Sequence, residues 1–183
     1  MKHDVINKII QDKGYKSYLE IGIAYGHNFQ LINCENKKGV EPELIPNKKV
    51  ADKTFKGTSD DFFKQNTETF DLIFIDGLHH AEQLEKDIIN SYDVLNNGGM
   101  ILIHDINPYN EAMTIVPRQQ EQWTGTCFQV WAGIIENTKL KTEYLEDKYG
   151  LGVIHKTRAK PKEGMTLDIT YADFDKDRKK WIN

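Results

Sequence analysis

Tyr18-Leu19-Glu20-Ile21-Gly22-Ile23-Ala24-Tyr25-Gly26 is the stretch on which the fold turns. A short apolar run ends in glycines, so it reads as a strand entering a tight turn, and the residues from Asn28 to Asn33 read as the helix that follows. Upstream, Val5, Ile6, Ile9 and Ile10 recur at helical spacing and Gly14 stops that helix. Downstream, Lys38 to Pro42 reads as a second strand and Lys53 to Lys56 as a third, with Ser59 or Asp60 capping a helix through Gln65.

The pattern repeats along the chain. Phe70 to Asp76 is an almost continuous apolar run, as expected of a strand covered on both faces. Ala81 to Leu95 is predicted helical, with Leu84, Ile88, Tyr92 and Leu95 on one side, and Asn97-Gly98-Gly99 then turns the chain into a buried strand from Met100 to Asp105. After a polar, proline-containing stretch over residues 106–122, Trp123 to Glu136 reads as a helix. Lys141 to Glu146 and Gly150 to Lys156 read as closing strands, joined by a turn at Asp147-Lys148-Tyr149-Gly150. Alternating strands and helices predict an α/β, Rossmann-like, doubly wound domain. Its sheet is expected to have seven mostly parallel strands with an antiparallel C-terminal hairpin. A single domain over residues 1–183 follows, with 106–122 as a lid or acceptor loop and 173–183 as a solvated polar tail.

Composition narrows the class. The chain has 183 residues, 39% hydrophobic and 28% charged, as in ordinary globular domains. A formal net charge of -4 with mixed signs argues against a nucleic-acid partner. Cys34 and Cys127 form no Cys-x-x-Cys pair, and no apolar signal core or membrane-length apolar run is present. The expectation is a cytoplasmic, soluble protein without a membrane span.

Ligands of open α/β sheets bind at the carboxyl ends of the strands near the switch point. Gly22, Ala24 and Gly26 let the backbone approach a ligand there, and Glu41, ending the second strand, is placed to accept protons from ribose hydroxyls. The loop lacks the Gly-x-Gly-x-x-Gly of a diphosphate cradle, and the acidic Glu20 beside it suits a cationic ligand. A second constellation pairs Asp76-Gly77-Leu78-His79-His80 with His104-Asp105 one strand later. Asp76, His104 and Asp105 could hold a divalent cation, Mg²⁺ or Mn²⁺ by their oxygen-rich set, and His79 could serve as general base. His80 reads as a surface or helix-capping histidine, and Trp123, Tyr109 and Arg118 as shapers of an acceptor pocket.

These residues resemble two nested groups. Glu20, Gly22 and Gly26 match the first motif of the class I methyltransferase superfamily, Glu/Asp-x-Gly-x-Gly-x-Gly, with Ala24 in place of the middle glycine. The resemblance implies S-adenosylmethionine as cofactor, with Glu20 holding its methionine portion, Glu41 on the ribose, Ser59 and Asp60 flanking the adenine, and Asp76 also among the cofactor-binding residues. Phe74-Ile75-Asp76-Gly77-x-His79 and Gly98-Gly99-x-Ile101-x-Ile103-His104-Asp105 resemble metal-dependent O-methyltransferases related to macrocin and cephamycin tailoring enzymes. In that group the position of His104 is more usually acidic. The implied reaction is metal-assisted methylation of a hydroxyl on a sugar, in a glycan or a glycosylated small molecule. Metal-independent methylation with Asp76 and Asp105 only organising loops, and a non-catalytic nucleotide-binding module, are the alternatives. A chain this short leaves the acceptor pocket open, suited to a large glycan or to completion by a second copy in a homo-oligomer.

Overall fold

The computed structural model describes residues 1–43 and 48–182. Seven strands form one sheet: β1 (Ser17–Ile21), β2 (Asn36–Glu41), β3 (Thr54–Lys56), β4 (Phe70–Ile75), β5 (Leu95–His104), β6 (Lys141–Leu145) and β7 (Leu151–His155). Their order is β3-β2-β1-β4-β5-β7-β6. The first five are parallel, whereas β7 runs antiparallel to both β5 and β6. The doubly wound architecture and its closing hairpin are therefore as expected. The order reverses between β1 and β4, which places the switch point beside Gly22 and Asp76.

Among the described residues eight helices flank the sheet: α1 (Lys2–Lys13), α2 (His27–Gln30), α3 (Lys48–Ala51), α4 (Ser59–Gln65), α5 (Ala81–Asp93), α6 (Cys127–Asn137), α7 (Tyr171–Lys176) and α8 (Arg178–Trp181). Strand residues alternate between two apolar layers. Leu19, Ile21, Ile73, Ile75, Ile101 and Ile103 face α4, α5 and α6. Tyr18, Leu72, Phe74, Met100 and Leu102 face Ile6 and Ile10 of α1, Phe29 of α2 and Val50 of α3. Burial on both faces explains why β4 and β5 read as unbroken apolar runs.

Four local expectations shift. The helix after Gly26 is a single turn, α2, that gives way at Leu31. Thr58, rather than Ser59 or Asp60, caps α4, its hydroxyl accepting from Asp61 N at 3.1 Å. The helix expected from Trp123 begins only at Cys127, because Thr124 N and Gly125 N both donate to Met113 O, at 3.0 and 3.1 Å. The segment expected as a solvated tail folds into α7 and α8, which bury Phe174 and Trp181 in the core cluster. Trp131 Nε1 donates to Trp181 O at 2.8 Å, so apolar anchors among the charges hold that segment down. Asn183, the last residue of that segment, lies outside the described residues. Among the described residues no helix is long and apolar enough to cross a membrane.

One buried carboxyl lies away from the strand ends. Asp87 on α5 is buried between α5 and α4, where Gln83 Nε2 donates to its Oδ1 at 3.1 Å and also reaches Ser59 and Asp60. Burial pushes the Asp87 carboxyl up to about 6 from 3.8, against the bonds from Ser59 and Gln83. The folded state therefore holds this proton more tightly than the unfolded chain, and stability falls as pH rises from 3.8 towards about 6. Asp87→Asn should gain on the wild type across that interval, by on the order of 2 kcal/mol, and keep the gain above it. Thermal melting against pH checks this, and parallel curves for the two proteins would remove Asp87 as the source.

Candidate active site

Three chain exits converge at the switch point. Asp76 N donates to Ile21 O at 2.9 Å, and Gly22 N donates to Val40 O at 3.0 Å, so the ends of β4, β1 and β2 are stitched together. Gly22 has φ 82°, and a Cβ there would lie 2.4 Å from the Asp76 carbonyl oxygen. Glycine is demanded at this crossing by both backbone conformation and space. Ala24 also takes a positive φ, of 47°, which brings its N–H to Glu41 Oε2 at 2.7 Å.

The loop and the strand ends open onto a cleft of about 860 Å³. Glu20, Gly22, Ala24, Asp76, His79 and Asp105 line it, with His104 at its floor. Glu41, Gly26, Ser59 and Asp60 lie outside this lining. Glu41 accepts from Ala24 N and Glu43 N, Gly26 packs against Val50, and Gln83 Nε2 holds Ser59 and Asp60 at 3.2 and 3.0 Å.

Glu20 is almost fully buried, and Tyr18 Oη and Asn28 Nδ2 donate to its Oε2 at 2.6 and 3.1 Å. Burial raises the Glu20 carboxyl to about 7, the two hydrogen bonds opposing the rise. Asn28 Oδ1, beside it, is buried and has no hydrogen-bond partner. An acceptor left bare at a polar cleft is costly unless a ligand donor meets it.

At the other end of the cleft two imidazoles face two carboxylates. His79 Nε2 lies 3.5 Å from Asp76 Oδ1 and 3.1 Å from Asp105 Oδ2. His104 Nδ1 lies 3.3 and 3.0 Å from the same two oxygens. The opposite ring nitrogens are engaged: His79 Nδ1 with Trp123 O at 3.2 Å and His104 Nε2 with Lys148 O at 2.9 Å. A carbonyl can only accept, so each distal nitrogen carries a proton, and in the neutral rings both lone pairs would point at the carboxylates. Four electron-rich atoms so arranged need a proton or a cation among them. Without a metal, protons fill the role. Burial disfavours imidazolium at both histidines, but Asp76 and Asp105 override it, raising His79 and, with Asp147, raising His104 well above the usual range. Burial likewise works against the Asp76 carboxylate, yet His104, His79 and Lys2 hold its carboxyl well below the usual range.

The donor set also fits a metal ion. Asp76, His79 and Asp105 bring ligand atoms within 4.8 Å of one another. Asp105 reaches the cluster with φ 61°, a conformation that costs a non-glycine residue of order 1 kcal/mol or more. His79 is fixed from behind: Thr126 N donates to His79 O at 3.0 Å, and a Cβ on Gly125 would lie 1.9 Å from that same oxygen. His80 takes the cap position of α5, but its side chain makes no capping bond; Thr126 Oγ1 accepts from Ala81 N at 2.7 Å instead. Trp123 stacks on His79 with ring centres 5.3 Å apart.

Sequence reasoning missed Lys2, Asn28 and Asp147, all of which line the cleft. Lys2 belongs to the first helix and Asp147 to a turn read as a plain hairpin connection. Neither sits in a motif, and only long-range folding brings them to the strand ends.

Residues 19–106, which carry β1 through the end of β5, match the family model described as a methyltransferase domain. Over this stretch the chain is similar to methyltransferase domains. Solved structures extend the likeness beyond it. A methyltransferase from Podospora anserina with S-adenosylhomocysteine bound is 20% identical, with a TM-score of 0.61, covering 85% of this chain and 78% of its own. An O-methyltransferase from Bacillus cereus in complex with S-adenosylhomocysteine is 16% identical, with a TM-score of 0.57, covering 88% of this chain and 80% of its own. An O-methyltransferase of tomaymycin synthesis from Streptomyces achromogenes, in complex with S-adenosylmethionine, is 12% identical. Its TM-score is 0.56, over 85% of this chain and 79% of its own. At these identities what is shared is the fold. No curated protein matches the chain.

Because Gly22 is the crossing of β1 and β4, Gly22→Ala should cost about 2 kcal/mol or more of stability. Chemical denaturation measures it. An unchanged midpoint would show that the strand exits separate without penalty.

Proposed function

We propose that the protein transfers the methyl group of S-adenosylmethionine to a hydroxyl oxygen with the help of a divalent cation, Mg²⁺ or Mn²⁺. The observation that carries this reading is the convergence of Asp76, Asp105, His79 and His104 at one end of a cleft whose other end is the glycine turn. The cofactor supplies an electrophilic sulfonium methyl. A cation there would be held by Asp76 and Asp105 together with an imidazole, which we assign to His104 so that His79 stays free, and it would supply Lewis acidity that eases deprotonation of the acceptor hydroxyl.

The chain's own residues do the rest. Glu20 and Asn28 offer acceptors to the ammonium of the cofactor's amino-acid end, and Glu41, tied to the turn through Ala24 N, would take the ribose once the cofactor is bound. His104, 6% exposed against 18% for the side chain of His79, is the imidazole withdrawn into the floor. His79 faces the cleft, so its Nε2 takes the acceptor proton while Trp123 O orients the ring through Nδ1. Holding oxygen and methyl in line supplies much of the acceleration. The acceptor is a sugar hydroxyl, in a glycan or a glycosylated small molecule. Trp123 beside His79 and the exposed ring of Tyr109 at the outer loop give the apolar faces on which sugar rings stack.

Calorimetric titration with S-adenosylmethionine should show micromolar binding, and release of S-adenosylhomocysteine over a panel of glycosides should stop with chelator. Asp105→Ala should abolish that metal-dependent turnover and leave cofactor affinity nearly intact. His79→Gln should lower turnover by about 100-fold or more and spare Mn²⁺ binding, whereas His104→Gln should weaken Mn²⁺ binding. Full turnover in chelator would sink the metal role, and absence of cofactor binding would sink the reaction itself.

A further inference from the structure

A positive charge enters the cleft from outside the sheet. Lys2, in the first turn of α1, sets Nζ 2.6 Å from Asp76 Oδ2. The two oxygens of Asp76 therefore serve different sides. Oδ1 turns to His79 and His104, at 3.5 and 3.3 Å, and Oδ2 turns to Lys2. Lys2 also stands 5.9 Å above the ring of Phe74, on the sheet face that Tyr18 and α1 share. That is the sheet face of Glu20 and Asn28, and His104 packs edge-on to the same Phe74 ring with centres 6.3 Å apart.

The helix presenting Lys2 is fixed in place. Ile6 and Ile10 are buried in the apolar layer beneath it. Asn7 Nδ2 donates to Leu31 O at 2.9 Å, and Asn33 N donates to Asn7 Oδ1 at 2.8 Å, which ties α1 to the chain after α2. Lys2 is thus held over the cleft by a packed element, unlike a surface lysine that merely finds an acid.

Charge balance then assigns it a partner. This end of the cleft is lined by Glu20, Asp76 and the unpartnered Asn28 Oδ1, all of them acceptors. They suit the ammonium of an amino acid and repel its carboxylate. A ligand carrying both groups needs a cation for the second, and Lys2 lines the same cleft with three donor hydrogens, one of them used on Asp76. We propose that Lys2 is the counter-ion of the cofactor's methionine carboxylate, holding it while remaining paired with Asp76 Oδ2. This rests on the S-adenosylmethionine reading of the cleft. It makes Lys2 a binding residue that selects nucleosides bearing an intact amino-acid end.

The test compares two nucleosides that differ only in that end. Wild type, Lys2→Met and Lys2→Arg are titrated with S-adenosylhomocysteine and with 5′-methylthioadenosine, which has neither ammonium nor carboxylate. Lys2→Met should bind S-adenosylhomocysteine about tenfold or more weakly and 5′-methylthioadenosine as the wild type does, and Lys2→Arg should restore most of the loss. Equal weakening towards both nucleosides, or no weakening towards either, overturns the assignment of Lys2 while leaving the cofactor reading standing. A wild type that binds neither nucleoside overturns the cofactor reading, and the assignment with it.

Discussion

Two neighbouring parallel strands end at one level, and the site depends on that register. Ile75 pairs with Ile103, so Asp76 and His104 leave β4 and β5 side by side, and Asp105 follows at once. Parallel pairing with burial on both faces leaves no room for slippage, because a shift of one residue would send every buried isoleucine to the wrong layer. The apolar layers therefore fix the spacing of the carboxylates. Asp105 needs a left-handed backbone to turn its oxygen inward, and the strain is carried by a strand that has no freedom to relax it.

Such a concentration of acceptors is stable only with positive charge among them. The fold provides this from three directions: His79 on the α5 side, His104 from the floor with Asp147 and Lys148 O behind it, and Lys2 from α1. Each comes from a different element, so the cluster is also a tie between elements. A cation entering between Asp76 and Asp105 would displace protons from the imidazoles, not the ammonium, because Lys2 occupies the other oxygen of Asp76. In the proposed reaction, the cofactor side and the metal side of one carboxylate would in this way be kept separate.

Periodicity and turn chemistry made the sheet legible before any coordinates. Apolar runs bounded by Gly22, Asp76 and Gly98-Gly99 marked strands that the structure places next to one another, and the resemblance of the glycine turn supplied the cofactor expectation. Ends governed by distant contacts were not legible. Trp123 to Thr126 has helical spacing, yet the carbonyls of Met113 and His79 claim its N–H groups and delay α6. The charged run near Lys179 hid Phe174 and Trp181, whose partners, Phe128 and Trp131, lie some fifty residues away on α6. Lys2 and Asp147 carry no motif because their role comes from where the fold leaves them, a property of pairs that no local window contains.

The sequence over 106–122 reads as a lid, yet with residues 123–126 its bonding describes a braced wall. Met113 is buried and its carbonyl accepts from Thr124 and Gly125; Asn110 Oδ1 caps the turn at Met113 N; Trp123 Nε1 donates to Ile115 O at 2.7 Å. From behind, Arg178 binds Asn107 Oδ1 and, at 2.8 Å, Pro108 O, so the C-terminal helices are pinned to the loop that leaves Asp105. Opening such a segment would break several hydrogen bonds together and expose Met113, whereas a hinged lid gives up few contacts. The same segment holds His79 through Thr126 and stacks Trp123 on its ring. In the proposed reaction, acceptor shape would then be read against a wall that also sets the orientation of His79. Under that proposal, substitutions in this loop would act on proton transfer as well as on affinity, even where they lie beyond reach of the reacting atoms.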